Sequence, residues 1–267
     1  MSNFKSTLKS LIPPVVLTSL SRLFYGWSGN YSTWEEASKK CSGYDSDIII
    51  NKVKASLLKV KSGEAVYERD SVIFDKVHYS FPLLSALSYV ALRSGNKLNV
   101  LDFGGSLGSS YYQNRTFFNG AQEFNWSIVE QKHFVTEGQK YFSDNHLHFY
   151  YDIDSCLNEQ RVNVLLLSSV LQYIEKPYEL IAFLNSKKFQ YVIIDRAPLL
   201  LEGKDRITIQ KVHKSIYEAK YPCWLLNQEN VKKAFLEEYE LVFDVELEET
   251  IHVNNAAYKA FFFKRKE

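Results

Sequence analysis

A carboxylate at the end of a short apolar run, followed at once by closely spaced glycines, can bring backbone N–H groups up to a ligand. The run Leu98–Gln113, LNVLDFGGSLGSSYYQ, has this form: Leu98, Val100 and Leu101 lead to Asp102, then to Gly104, Gly105 and Gly108. It predicts a strand's carboxyl end, a glycine turn and a helix N-terminus at one point, where α/β sheets bind ligands. Glycine permits the turn and a close approach of ligand to backbone. The dinucleotide pattern G-x-G-x-x-G, started at Gly104, would put Ser106 and Ser109 at its second and third glycines. The phosphate-loop pattern G-x-x-x-x-G-K-[ST] does not follow. What the run carries is acidic-x-G-x-x-x-G, at Asp102, Gly104 and Gly108. A second strand-like run, Trp126 to Val129, also ends in a carboxylate, Glu130. Its distance from Asp102 is close to that of a βαβ unit whose acidic residue takes a ribose diol, which a carboxylate can accept with both oxygens.

The acidic-glycine run resembles motif I of class I S-adenosylmethionine-dependent methyltransferases. The resemblance implies that Asp102 lies near the methionine part of the cofactor, with Phe103, Gly104, Gly105, Ser106 and Gly108 packed beside it. Such a cofactor has no diphosphate to cradle, so a strict second glycine is not required. Glu130, with Gln131 after it, would take the ribose; a solvated strand-end glutamate is the plainer alternative. Asp152 is the choice for the adenine amine, against a helix-capping role. Ser168 and Ser169 would meet the cofactor's amino-acid end, and Gln172 and Tyr173 the acceptor, unless they only begin a helix.

Methyl transfer from a sulfonium leaves the protein to supply alignment, and a general base where the acceptor is a hydroxyl. Asp195 leads as that base because it follows the fifth apolar strand. His78, His133, His213 and the Glu68-Arg69-Asp70 triplet are the other candidates, and His78 is carried forward with Asp195. Arg196 could hold an anionic group such as a sugar-nucleotide phosphate, or pair with Asp195. Arg69 and Tyr112 complete the expected acceptor contacts. No H-x-x-H or clustered His/Asp set suggests a metal.

These residues need an alternating framework to hold them. Asp47 to Val60 and Pro82 to Leu92 read as helices, and strands are expected near 98–102, 125–130, 147–151, 162–168 and 189–194, each separated by a helix-length interval. That pattern predicts a mostly parallel sheet. Leu241–Glu246 and Tyr258–Lys264, joined near Asn254-Asn255, predict a C-terminal antiparallel hairpin, as in the methyltransferase fold. Residues 1 to about 45 read as an irregular leader. The expected fold is therefore an α/β, Rossmann-like class I methyltransferase domain over 96–267, with an N-terminal helical cap over 1–95 that covers the cleft.

Several landmarks narrow the resemblance: GNYSTWEEA at Gly29–Ala37, YERDS at Tyr67–Ser71, VLDFGGSLG at Val100–Gly108, WSIVEQ at Trp126–Gln131, SSVLQYI at Ser168–Ile174, IDRAP at Ile194–Pro198 and YPCW at Tyr221–Trp224. Together they resemble a family of bacterial methyltransferases associated with surface-polysaccharide (O-antigen or capsule) gene clusters. The resemblance covers nearly the whole chain and implies S-adenosylmethionine as cofactor and a saccharide, sugar-nucleotide or lipid-linked acceptor. A non-catalytic relative kept for binding or scaffolding, and an NAD-dependent Rossmann enzyme, are the rival readings.

Composition is consistent with a cytoplasmic globular enzyme. The chain has 267 residues, 46% of them hydrophobic, and a net charge of +1 that offers no general attraction to nucleic acid. Cys41, Cys156 and Cys223 are widely spaced and are expected to be buried, reduced thiols. No segment reaches the roughly 18–20 apolar residues that span a bilayer. Leu11–Tyr25 is apolar with Lys5, Lys9 and Arg22 around it, and is broken by Pro13-Pro14. It reads either as a helix lying on a membrane surface or as a segment packed on its own domain.

Overall fold

The computed structural model describes residues 26–41, 47–212 and 219–267; the apolar segment Leu11–Tyr25 and His213 lie outside the described residues. In chain order the elements begin with β1 (Gly26–Tyr31), α1 (Trp34–Ser38), α2 (Asp47–Ser62), β2 (Tyr67–Arg69), β3 (Val72–Phe74) and α3 (Phe81–Arg93). The alternating part follows: β4 (Lys97–Phe103), α4 (Ser109–Asn114), β5 (Glu123–Val129), α5 (Lys132–Tyr141), β6 (Leu147–Tyr150), α6 (Ile153–Glu159), β7 (Val164–Ser168), α7 (Pro177–Ser186) and β8 (Tyr191–Leu200). The chain then adds β9 (Arg206–Lys211), β10 (Lys220–Asn227), α8 (Gln228–Leu236), β11 (Tyr239–Glu246) and β12 (Ala256–Arg265).

The central strands are apolar on both faces because helices cover both. Val100, Trp126 and Ile128 pack with Leu83, Leu87 and Val90 of α3, while Leu101, Leu165 and Leu167 pack on the opposite side with Ile181, Leu184 and Phe235. Neighbours in sequence such as Val100 and Leu101 thus point to opposite faces, as the period of a strand requires. β6, β5, β4, β7 and β8 are parallel neighbours in that order. β12 lies antiparallel between β8 and β11. This is the expected Rossmann-like arrangement, a mostly parallel sheet closed by an antiparallel C-terminal hairpin.

The N-terminal part differs from expectation. Gly26–Tyr31 is not irregular: it pairs antiparallel with β9, which pairs with β10. β8 runs on past Asp195, where β7 ends, and its last residues, Leu199 and Leu200, take Leu226 and Asn227 of β10. The sheet therefore continues over the carboxyl ends of β7 and β4 as a wall. Aromatic packing secures it: Trp34 stacks on Trp224 at 6.2 Å and Trp27 meets Tyr258 at 6.4 Å. Cys156 and Cys223 are buried free thiols as expected, but Cys41 is only part-buried, on the short α1 side of this wall. Among the described residues no helix is long and apolar enough to cross a membrane.

Candidate active site

The carboxyl ends of β4, β5 and β7 and the middle of β8 open into a cavity of about 1150 Å³, roofed by the β2–β3 hairpin, the start of α3 and the β11–β12 connection. Ligand pockets are typically about 300–1,000 Å³, so there is room for a cofactor and a second molecule.

The glycine loop forms one wall. Gly104, Ser106 and Gly108 have φ of +74°, +54° and +107°. The Gly104 N–H donates to the Val129 carbonyl at 2.9 Å, tying the loop to β5. A Cβ at Gly104 would fall 2.4 Å from Val170 Cγ2, and one at Gly105 would fall 2.5 Å from the Asp102 carboxyl. Gly108 does not line the cavity: it caps α4, and a Cβ there would meet Leu147 at 3.2 Å, so its place is set by backbone conformation and packing.

Asp102 is 1% exposed at the cavity floor. Its Oδ2 accepts from Trp126 Nε1 at 3.0 Å, and its Oδ1 is buried with no hydrogen-bond partner. Burial pushes its pKa up to about 7, aided by Glu130 and Asp195 and opposed by the Trp126 donor. Glu130, part-buried at the end of β5, accepts from the Ser106 N–H at 3.3 Å and the Gln131 N–H at 2.6 Å. It too is raised by burial, against those two bonds. Each Glu130 oxygen keeps lone pairs for further donors. Phe103, Gln131 and Ser169 line the cavity with them.

Asp152 does not reach this cavity. It is exposed and caps α6, accepting from the Ser155 N–H at 2.7 Å and hydroxyl at 2.8 Å, which hold its carboxyl below the usual range. Capping wins because the strand has ended one residue early, and Tyr151, 52% exposed, takes the lining position instead.

Asp195 is 1% exposed and bridges two serines: Ser80 Oγ donates to one oxygen at 2.7 Å and Ser168 Oγ to the other at 3.1 Å. Burial raises its pKa, and both hydroxyls oppose the shift. Ser80 was not singled out by sequence; as Ser80-Phe81-Pro82 it reads only as a helix start, and it does cap α3. Arg196, in the left-handed region at φ +50°, forms no pair with Asp195. It grips Glu249 with two hydrogen bonds, 2.9 and 3.1 Å, and Arg69 reaches the same carboxylate at 3.1 Å. Burial works against ionisation of Glu249, yet Arg196 and Arg69 outweigh it and keep its carboxyl below the usual range.

Glu68, from β2, is 1% exposed and also lines the cavity. It accepts from Ser109 Oγ and, at 3.2 Å, from the Ser71 N–H. Burial pushes it up to about 7. His78 lines the cavity, with its ring 5.2 Å from Phe74. Tyr173 also does, its hydroxyl donating to Gln210 at 2.8 Å. Two expected acceptor contacts are turned away. Gln172 is buried, and its amide holds Ser169 at 3.0 Å; Tyr112 is buried beneath the Arg115 guanidinium, 4.7 Å from its ring. His133 lies on α5 by a separate, smaller cavity.

No protein-family model matches the chain, and no curated relative matches it. Solved structures are similar in fold. The 1,6-didemethyltoxoflavin-N1-methyltransferase of Burkholderia thailandensis, with bound 1,6-didemethyltoxoflavin and S-adenosylhomocysteine, shares 10% identity at a TM-score of 0.44, covering 85% of this chain and 95% of that one. The N-terminal domain of EvdMO1, in the presence of S-adenosylhomocysteine and D-fucose, shares 11% at 0.45, covering 81% and 97%. The N-methyltransferase NodS of Bradyrhizobium japonicum WM9, in complex with S-adenosylhomocysteine, shares 12% at 0.42, covering 69% and 86%.

Proposed function

We propose that the chain is a class I S-adenosylmethionine-dependent methyltransferase acting on a saccharide acceptor, free or carried on a nucleotide or lipid. The observation that carries the cofactor reading is the pair Asp102 and Glu130 at adjacent strand ends, Glu130 bonded by the Ser106 N–H of the glycine loop and Asp102 by the Trp126 indole, with no ion-pair partner for either among the described residues. Charged groups this buried call for a cation or for hydrogen-bond donors. S-adenosylmethionine brings both, as an ammonium, a sulfonium and a ribose diol, and it fits the donorless Asp102 oxygen. Bound, it supplies an electrophilic methyl group on a positively charged sulfur.

The chain's own residues then bind and orient. Glu130 accepts the ribose hydroxyls, Asp102 and Ser169 face the amino-acid end, and Tyr151 lies along the base. Beyond Asp102, Tyr79, Phe81, Tyr173 and Tyr258 line the part of the cavity left for an acceptor, while Asp195 and His78 stand by to take a proton. Asp195 acts through the serine hydroxyls it polarises, since both its oxygens are engaged. The saccharide class rests on the motif resemblance and on this mix of aromatic faces and carboxylates.

Calorimetric titration with S-adenosylhomocysteine, with NAD in parallel, tests the reading. Micromolar binding of the first and none of the second is expected. Glu130→Ala should weaken binding by roughly ten- to a hundredfold, the loss of hydrogen bonds to a charged group, with an unchanged circular dichroism spectrum. Gly104→Val is a poorer probe, since Val170 and the positive φ make it deform the loop itself. Binding of NAD, or of neither ligand, overturns the assignment.

A further inference from the structure

The half of the cavity beyond Asp102, built by β8, β9, the β2–β3 hairpin and the β11–β12 connection, has a one-sided charge balance. Eight carboxylates and three permanent cations line the whole cavity; Glu68 and Asp102, raised to about 7, carry only part of their charge at neutral pH, yet acidic groups still outnumber the cations. Two of the cations are already committed. Arg196 is held by both oxygens of Glu249, and Arg69 shares one of them. Their side chains are 16% and 27% exposed, too enclosed for water to screen the arrangement as it would a surface pair. The Nε–Nη2 edge of Arg196 and one Nη1 hydrogen of Arg69 are thereby taken, and the shared carboxylate offsets much of the pull that their remaining N–H groups have on an anion.

Glu68 and Asp195, by contrast, are each 1% exposed, line the same cavity and have only neutral donors, Ser109, Ser71, Ser80 and Ser168. Asp70 is exposed beside them, and it and Asp195 both lie close enough to Arg196 to share in holding its charge. The cofactor proposed above brings one net positive charge, and the donorless Asp102 oxygen already draws on it. Carboxylate charge is left over on the acceptor side.

From this balance we propose that the acceptor end that enters the cavity is a cationic amine, not a phosphate, a carboxylate or a plain hydroxyl. The inference rests on the methyltransferase reading and narrows its acceptor; within the saccharide class it selects an amino sugar. Glu249 is the specificity-determining residue. By pairing with both guanidiniums it weakens their pull on an anion; Lys211 is the other lining cation among the described residues, outnumbered by Glu68, Asp70 and Asp195 on the side that receives the ammonium. A carboxylate at this point can also take one proton from the ammonium: an N–H bond breaks, an O–H bond forms, and the nitrogen regains its lone pair. Burial that raises Glu68 makes it a better proton acceptor than a solvated carboxylate, while Asp195, with both oxygens engaged, acts through Ser80 and Ser168.

Two matched series test this on protein saturated with S-adenosylhomocysteine: glucosamine, glucose and glucose 1-phosphate, and benzylamine, benzyl alcohol and benzyl phosphate. Calorimetry is expected to show the amine of at least one series binding about tenfold or more tighter than its alcohol, with no measurable heat from either phosphate. Glu249→Gln should erase this discrimination and raise phosphate affinity by about tenfold, because two guanidiniums are released. A phosphate that binds the unaltered protein as tightly as the amine, or no ammonium-dependent binding in either series, overturns the proposal even if the variant fails to fold. Saturation by S-adenosylhomocysteine is measured first in the same cell, so a failure of the cofactor reading is seen separately.

Discussion

Trp126 sets the state of Asp102 at the floor of the cavity. Its indole N–H is the carboxylate's one hydrogen-bond donor among the described residues, and Trp126→Phe removes it while keeping most of the aromatic packing. The loss should cost about 1–3 kcal/mol, the usual penalty for a stranded buried polar group. It should be larger at pH 8, where Asp102 is ionised, than at pH 5.5, where it is protonated. Thermal melts at the two pH values check this, and equal losses at both would show that the indole does not act through the carboxylate. Asp102 and Glu130 were legible in the sequence because strand ends and glycine spacing are local. Glu249 was not. In Leu247-Glu248-Glu249-Thr250 it reads as a solvated loop residue, and its partners Arg196 and Arg69 come from 53 and 180 positions away. Asp152 and Gln172 failed for a related reason: sequence places a side chain near a strand end, but local donors and acceptors compete for it, the Ser155 N–H that Asp152 caps and the Ser169 groups that Gln172 holds.

The packing of α5 on β6 turns on one small residue. A Cβ at Gly138 would lie 2.4 Å from the ring of Phe149, which is 3% exposed and held by the strand. Ala is favoured over Gly in a helix by up to about 1 kcal/mol, yet the overpacking should outweigh this and leave Gly138→Ala less stable by about 1–2 kcal/mol. A urea melt measures the difference, and a stabilised variant would mean that α5 slides freely on the sheet. Helices and central strands were readable because each buries a continuous apolar face with its own period. β1 and β9 were not. Gly26-Trp27-Ser28-Gly29 and Arg206–Lys211 carry half-polar sequences whose strand character comes from pairing with each other across most of the chain.

For the whole molecule, the raised carboxylates set a pH dependence. Glu68 and Asp102 titrate near 7 when folded, against about 4 in an unfolded chain. The folded protein therefore binds more protons between these values, and stability should fall as pH rises from about 4 through 7. Glu130 and Asp195 shift in the same direction. Asp152, Asp244 and Glu249 are lowered and act only in the acid range, while His148, lowered by burial, opposes the trend near its own titration. The melting temperature without ligand should drop between pH 5 and 8, by about 2–4 °C for each kcal/mol, and saturating S-adenosylmethionine should flatten the curve. A melting temperature that climbs across this window would contradict the assigned ionisations. The order of the sheet has a kinetic consequence as well. β8 is complete at Leu200, but the neighbour that shields its edge, β12, begins only at Ala256. During synthesis the apolar stretch Val192–Ile194 must therefore wait with one side bare while α8 and β11 emerge. Such an edge is a template for pairing with another chain. The interval between these two strands is thus the period in which nascent chains are most exposed to aggregation and chaperone capture matters most.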